Sequence, residues 1–93
     1  IDAQEAYRIG LANRVVPGEK LMEEAYALAR RLKDGPLYAL GVTKELFNFE
    51  ADTDLETALE MEAMAQARCM ETPDFIEGYN AFMEKRPLKF NRG

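Results

Sequence analysis

The side chains of this 93-residue chain best placed to do chemistry are Phe82 and Lys85, three apart at the close of a segment with helical periodicity. At that spacing both can project from one side of a last helical turn. An aromatic face beside an ammonium suits a nucleotide, the ring stacking on a base and the cation meeting a phosphate. The bland reading of the same pair is a core phenylalanine next to a surface lysine. From Lys85 to Gly93 the chain holds two lysines, two arginines and no acid. Such a run either complements a helix C-terminus or contacts a phosphate.

Other chemistries are poorly supplied. The chain has no histidine, which removes Ser/His/Asp and Cys/His nucleophile systems from it. Cys69 lies in an apolar helical run without an activating base and reads as a core residue. Glu56 and Glu60 share a helix face, but an acid–base pair needs a pocket that drives two pKa values apart. The sequence offers no such pocket, so a solvated face is expected. Gly10, Gly35 and Gly78 are scattered, unlike a phosphate-cradling loop. Met61, Met64, Met70 and Met83 could make an adaptable binding surface, and core filling is the reading favoured. No metal-ligand spacing occurs. The catalytic and metal sets within the chain are therefore expected to be empty.

The elements that would position Phe82 and Lys85 are helical. Thr72 caps the last segment, Pro73 suits its first turn, and Pro87 is expected to stop it. Phe75, Tyr79, Phe82 and Met83 form an aromatic stripe, and Gly78 interrupts the middle at a cost of about 1 kcal/mol. A helix pressed against another backbone is the expectation. At the other end Asp2 and Glu5 have capping-box spacing, and Gly10 can take the left-handed turn that closes the helix. Leu11 to Val16 reads as extended, as partnered strand or simple connector.

Between these ends, Leu21, Ala25, Leu28, Ala29 and Leu32 mark an amphipathic helix over 19–33. A further helix runs from about Leu37 to Asn48, with Leu37, Leu40, Gly41 and Phe47 on its inner edge. There Gly41 would admit a neighbouring helix. Thr53 and Glu56 then open the longest helix, to about Glu71. Its apolar residues wrap wider than the ~100° stripe one face requires, so it should pack on two surfaces. The fold class is all-α: a small array of about five helices with one short extended segment. Residues 1–16 make a capped helix and connector, and residues 17–93 a helical domain.

The totals narrow the function further. A net charge of −5 argues against a nucleic-acid partner. No run approaches the ~20 apolar residues needed to span a bilayer, so no membrane partner is expected. One cysteine cannot form an internal disulfide, which fits a reducing, cytoplasmic setting. Ile1 is not an initiator methionine, so a piece of a longer protein is the expectation.

Gly10-Leu-Ala-Asn-Arg-Val-Val-Pro17, read with Thr72-Pro-Asp-Phe-Ile-Glu-Gly-Tyr-Asn-Ala-Phe-Met-Glu-Lys-Arg-Pro87, resembles the C-terminal end of the crotonase superfamily. These are the enoyl-CoA hydratases and isomerases. The likeness also takes in Ala3 to Ala6, the alanine-rich helix to Gly35-Pro36, and Thr43-Lys44. It implies an acyl-CoA thioester as substrate of a parent enzyme, hydration of a 2-enoyl-CoA first and double-bond isomerisation second, with no covalently bound cofactor. In that family two backbone N–H groups stabilise an enolate and acidic side chains move protons. Those parts would precede Ile1, leaving an isolated chain without activity.

The same resemblance implies that the helical tail joins subunits into a homo-oligomer, a trimer or hexamer. It places Phe82 beside the CoA adenine and Lys85 near a CoA phosphate, and Pro87-Leu-Lys-Phe90 resembles the natural ending. The rival from another class is a freestanding helical interaction module.

Overall fold

The computed structural model describes residues 1–90; Arg92, counted above in the basic run, and the end of the 17–93 segment lie outside the described residues. Five α-helices and one 3₁₀ turn follow in order: α1 (Ala3–Arg8), the turn (Gly18–Lys20), α2 (Leu21–Lys33), α3 (Leu37–Glu50), α4 (Leu55–Met70) and α5 (Pro73–Glu84). Among the described residues there is no strand, and Leu11 to Val16 is an irregular connector. No described helix is long and apolar enough to cross a membrane. The chain divides into two compact units, Ile1–Arg30 and Arg31–Gly93.

In the first unit, the Asp2 carboxylate accepts the Glu5 N–H at 2.8 Å and so caps α1. Glu5 turns forward, its carboxylate gripping the Arg8 guanidinium at 2.6 and 2.7 Å. Gly10 ends the element at φ 80°, a region glycine enters without penalty. The Leu11 and Ala12 N–H groups then return to the Ala6 carbonyl. Arg14 reaches Glu24 at 2.9 Å, tying the connector to α2.

The second unit is built on α4, which packs against α3 and α5. Its cap differs from the expectation. Asp54, not Thr53, accepts the first-turn N–H, from Thr57 at 2.8 Å. Thr53 closes the preceding helix, its hydroxyl donating to the Phe49 carbonyl at 2.7 Å. On α4 the half-covered stripe is Ala58, Met61, Ala65 and Cys69, at helical spacing. Leu55, Leu59, Met64 and Met70 stay exposed on the remaining surface. Ala58, Ala65 and Cys69 in that stripe let the helices approach, and of the longer apolar side chains just named only Met61 joins them.

Two inner faces expected from the sequence are corrected. On α3 the covered side is Ala39, Leu40, Val42, Leu46 and Glu50: Leu40 lies there as expected, while Leu37, Gly41 and Phe47 are exposed. On α5 it is Asp74, Glu77, Gly78 and Ala81, and Ala81 is the one buried residue among those described. The aromatic stripe of Phe75, Tyr79, Phe82 and Met83 lies beside that face and remains exposed. The small side chain of Ala81 is buried there, while the larger rings are left at the edge. Gly41 has nothing within 4 Å of where a Cβ would stand. At Gly78 the nearest atom is on the Phe90 ring at 4.0 Å, so the glycine faces a returning side chain and no neighbouring backbone.

Candidate functional site

The cap of α5 sets the geometry around Lys85. Thr72 accepts the Phe75 N–H at 3.3 Å, and Pro73 occupies the first turn, where its missing N–H costs nothing. At the far end Lys85 takes the left-handed conformation, φ 54° and ψ 45°. The Arg86 N–H reaches back to the Ala81 carbonyl at 3.1 Å and the Lys85 N–H to Phe82 at 3.3 Å, the paired bonds of a Schellman motif. Lys85 thus ends the helix two residues before Pro87 and lies beyond it. Phe82 and Lys85 therefore do not share a helical face, contrary to the spacing argument.

The basic run divides by partner. Arg86 is taken up internally: its guanidinium holds Glu77 through two 2.8 Å bonds and Glu84 through one of 2.6 Å. Glu77 also accepts the Lys89 N–H at 2.9 Å. The Arg86 hydrogen bonds, with that from Lys89, hold the Glu77 carboxyl far below its ordinary range, at about 2. This clasp folds the tail back along α5 and sets Phe90 against Gly78. Among the described residues no carboxylate pairs with the Lys85 ammonium. Of the cations that follow α5, Lys85 is thus left available to an external anion while Arg86 is not.

Phe82 is 80% exposed and stands at the rim of an open groove of about 650 Å³ between α3, α4 and α5. Val42, Leu46, Ala65, Phe75 and Phe90 supply its apolar walls, and Cys69 lines it half-covered. Lys85 is not part of the lining. The structure brings Phe82 to the groove and leaves Lys85 exposed outside it, past the end of the helix.

One carboxylate pair escaped the sequence reading. Glu56 and Glu60 stay exposed on α4. Glu50 and Glu62 instead meet in the groove, because the short 51–54 connection folds α4 back on α3. Burial first, then a hydrogen bond with Glu62 and the charge of Glu62, push the Glu50 carboxyl above its ordinary range. Glu50 Oε1 is shielded from solvent and has no hydrogen-bond partner among the described residues. The signal was faint: Glu62 is exposed and stands one residue past Met61 of the covered stripe, so only the turn of α4 back on α3 brings it to Glu50. Reading acids only against other acids on one helix concealed it. Among the described residues no cluster of three or more candidate ligands could hold a metal.

Comparison with known proteins places the whole chain in one company. The sequence pattern of the enoyl-CoA hydratase/isomerase family matches residues 1–93. The crotonyl-CoA hydratase of Syntrophomonas wolfei is 40% identical over 97% of this chain and 35% of its own length. The 1,2-epoxyphenylacetyl-CoA isomerase of Escherichia coli is 33% identical over 97% of the chain and 34% of its own. The crystal structure of an enoyl-CoA hydratase from Bacillus anthracis superposes with a TM-score of 0.91 at 35% identity, covering the full chain and 36% of that protein. The chain spans about a third of the length of the relatives it matches.

Proposed function

Because this chain belongs to the enoyl-CoA hydratase/isomerase family, we propose that it serves an acyl-CoA enzyme as its C-terminal helical segment, joining subunits and forming the edge of the CoA site. The reaction favoured is hydration of a 2-enoyl-CoA, as the name of the Syntrophomonas wolfei relative suggests. Isomerisation is the second reading, which the match to the Escherichia coli isomerase supports. Residues 17–93 are the segment assigned to subunit association, in a homotrimer or a hexamer. A cytoplasmic location accompanies this reading.

The observation that carries the CoA assignment is the division of labour after α5. Arg86 is committed to Glu77 and Glu84, while Lys85 is held outside the helix with no carboxylate paired to it among the described residues, and Phe82 lies exposed one turn away. Phe82 would flank the adenine and Lys85 would meet a CoA phosphate. The catalytic groups belong to other parts of the enzyme, so this chain contributes binding and assembly and no proton transfer.

Titration of the purified chain with CoA tests this, observed by amide shifts in NMR. Weak binding is expected, with shifts centred on Phe82 and Lys85. Lys85→Glu should weaken it roughly tenfold or more, the scale of one lost charge-assisted hydrogen bond. Shifts confined to other residues would remove the assignment. Turnover of crotonyl-CoA by the chain alone would refute the absence of catalytic groups.

A further inference from the structure

The Glu77 carboxylate is engaged from the tail that follows its own helix. Both terminal nitrogens of Arg86 donate to it at 2.8 Å, and the Lys89 N–H does so at 2.9 Å. Glu84 accepts the remaining nitrogen, Nε, at 2.6 Å. Every nitrogen of the guanidinium is thereby directed at a carboxylate, and two carboxylates against one cation leave the trio net negative. The Arg86 side chain is 34% exposed and that of Glu77 20%, whereas Lys85 is exposed. The termination of α5 does not need this clasp, because the Arg86 and Lys85 N–H groups already close the helix on Ala81 and Phe82.

Lys85 and Arg86 are neighbours in the chain but unlike as anion ligands. A guanidinium offers a phosphate two parallel donors and grips it whatever the phosphate is attached to. An ammonium is a point charge on a flexible stem and gives little geometric selection by itself. Recognition at Lys85 then falls to what else the ligand touches, and the exposed Phe82 ring suits a base. An unclasped Arg86 would let inorganic phosphate occupy the same edge without any help from that ring.

We propose that Glu77 is a positioning residue that sets the specificity of the CoA edge. By engaging both terminal nitrogens of Arg86 it withdraws the guanidinium from an incoming phosphate, so Lys85 meets that phosphate alone and free phosphate is poorly held. The role deepens the CoA reading of Phe82 and Lys85 and rests on it.

The test titrates the 93-residue chain with inorganic phosphate and, separately, with CoA, following the Arg86 Nε–H and Lys85 amide signals by NMR. In wild type, phosphate should leave the Arg86 signal unmoved. In Glu77→Ala it should bind roughly tenfold more tightly, the scale of one charge-assisted hydrogen bond, and should move that signal. Glu84→Ala removes the same charge but leaves the terminal nitrogens on Glu77, so phosphate affinity should change little. Glu77→Ala/Arg86→Gln should lose the gain. Damage to the fold weakens binding and does not produce a gain, and helical circular dichroism of each variant checks the fold directly. An Arg86 signal moved by phosphate in wild type would overturn the role of Glu77. So would an unchanged phosphate affinity in Glu77→Ala, or an equal gain in Glu84→Ala. CoA that leaves Lys85 unmoved in wild type would instead remove the reading of the edge itself, which keeps the two failures apart.

Discussion

Lys85 carries two demands that oppose one another. It occupies the left-handed position of a Schellman motif, where a side chain costs about 1–2 kcal/mol and glycine is the usual choice. Lys85→Gly should therefore raise the melting temperature while abolishing CoA-induced shifts, which separates a binding role from a structural one. At Glu77 the demand is electrostatic. Its carboxyl is depressed to about 2 by Arg86 and the Lys89 N–H, so its stabilising effect is complete above the ordinary carboxylate value and is lost as pH falls towards 2. Between about pH 4.5 and 2, wild type should lose stability more steeply than Glu77→Gln, as read by thermal melts across that range. The caps at Asp2 and Thr72 were legible because a short oxygen-bearing side chain before a helix has few other uses. The left-handed lysine was not, since nothing in its residue type announces it.

At the scale of elements, α5 shows how a helix chooses its covered face. The sequence drew attention to the aromatic stripe, yet the residue buried on α5 is Ala81, and Gly78 is covered by the Phe90 ring of the returning tail. Gly78→Ala tests the local cost of that choice. A Cβ there would make ordinary contact with the Phe90 ring at 4.0 Å, so alanine should be tolerated and stabilise by up to about 1 kcal/mol in chemical denaturation. A loss of stability instead would restore the tight-crossing interpretation. Thr72→Ala should cost about 0.5–2 kcal/mol by the same measurement, because its hydroxyl oxygen caps α5. Helix existence and approximate bounds could be read from caps, glycines and prolines. The exchange of roles between Thr53 and Asp54 could not, as both are competent caps and only the turn decides which one faces the free N–H groups.

For the whole molecule, the shortage of buried side chains is the governing fact: Ala81 is the one buried residue among those described, and Leu59, Met64 and Phe82 stand 61%, 59% and 80% exposed. Apolar surface on this scale associates. Sedimentation velocity should show mass rising with concentration, and Leu59→Glu/Met64→Glu should shift the distribution towards monomer; a stable monomer at all concentrations would count against it. The sequence by itself determined the helical class, the capped ends, the excess of apolar surface on α4 and the family, because these follow from local periodicity, turn chemistry and residue order. Tertiary structure alone decided which faces meet. It drew Glu50 and Glu62 into one groove, spent Arg86 on Glu77, and left Lys85 beyond the helix. Glu50 and Glu62 meet only when α4 folds back on α3, and Arg86 reaches Glu77 only once the chain reverses at Lys85, so helical periodicity encodes neither.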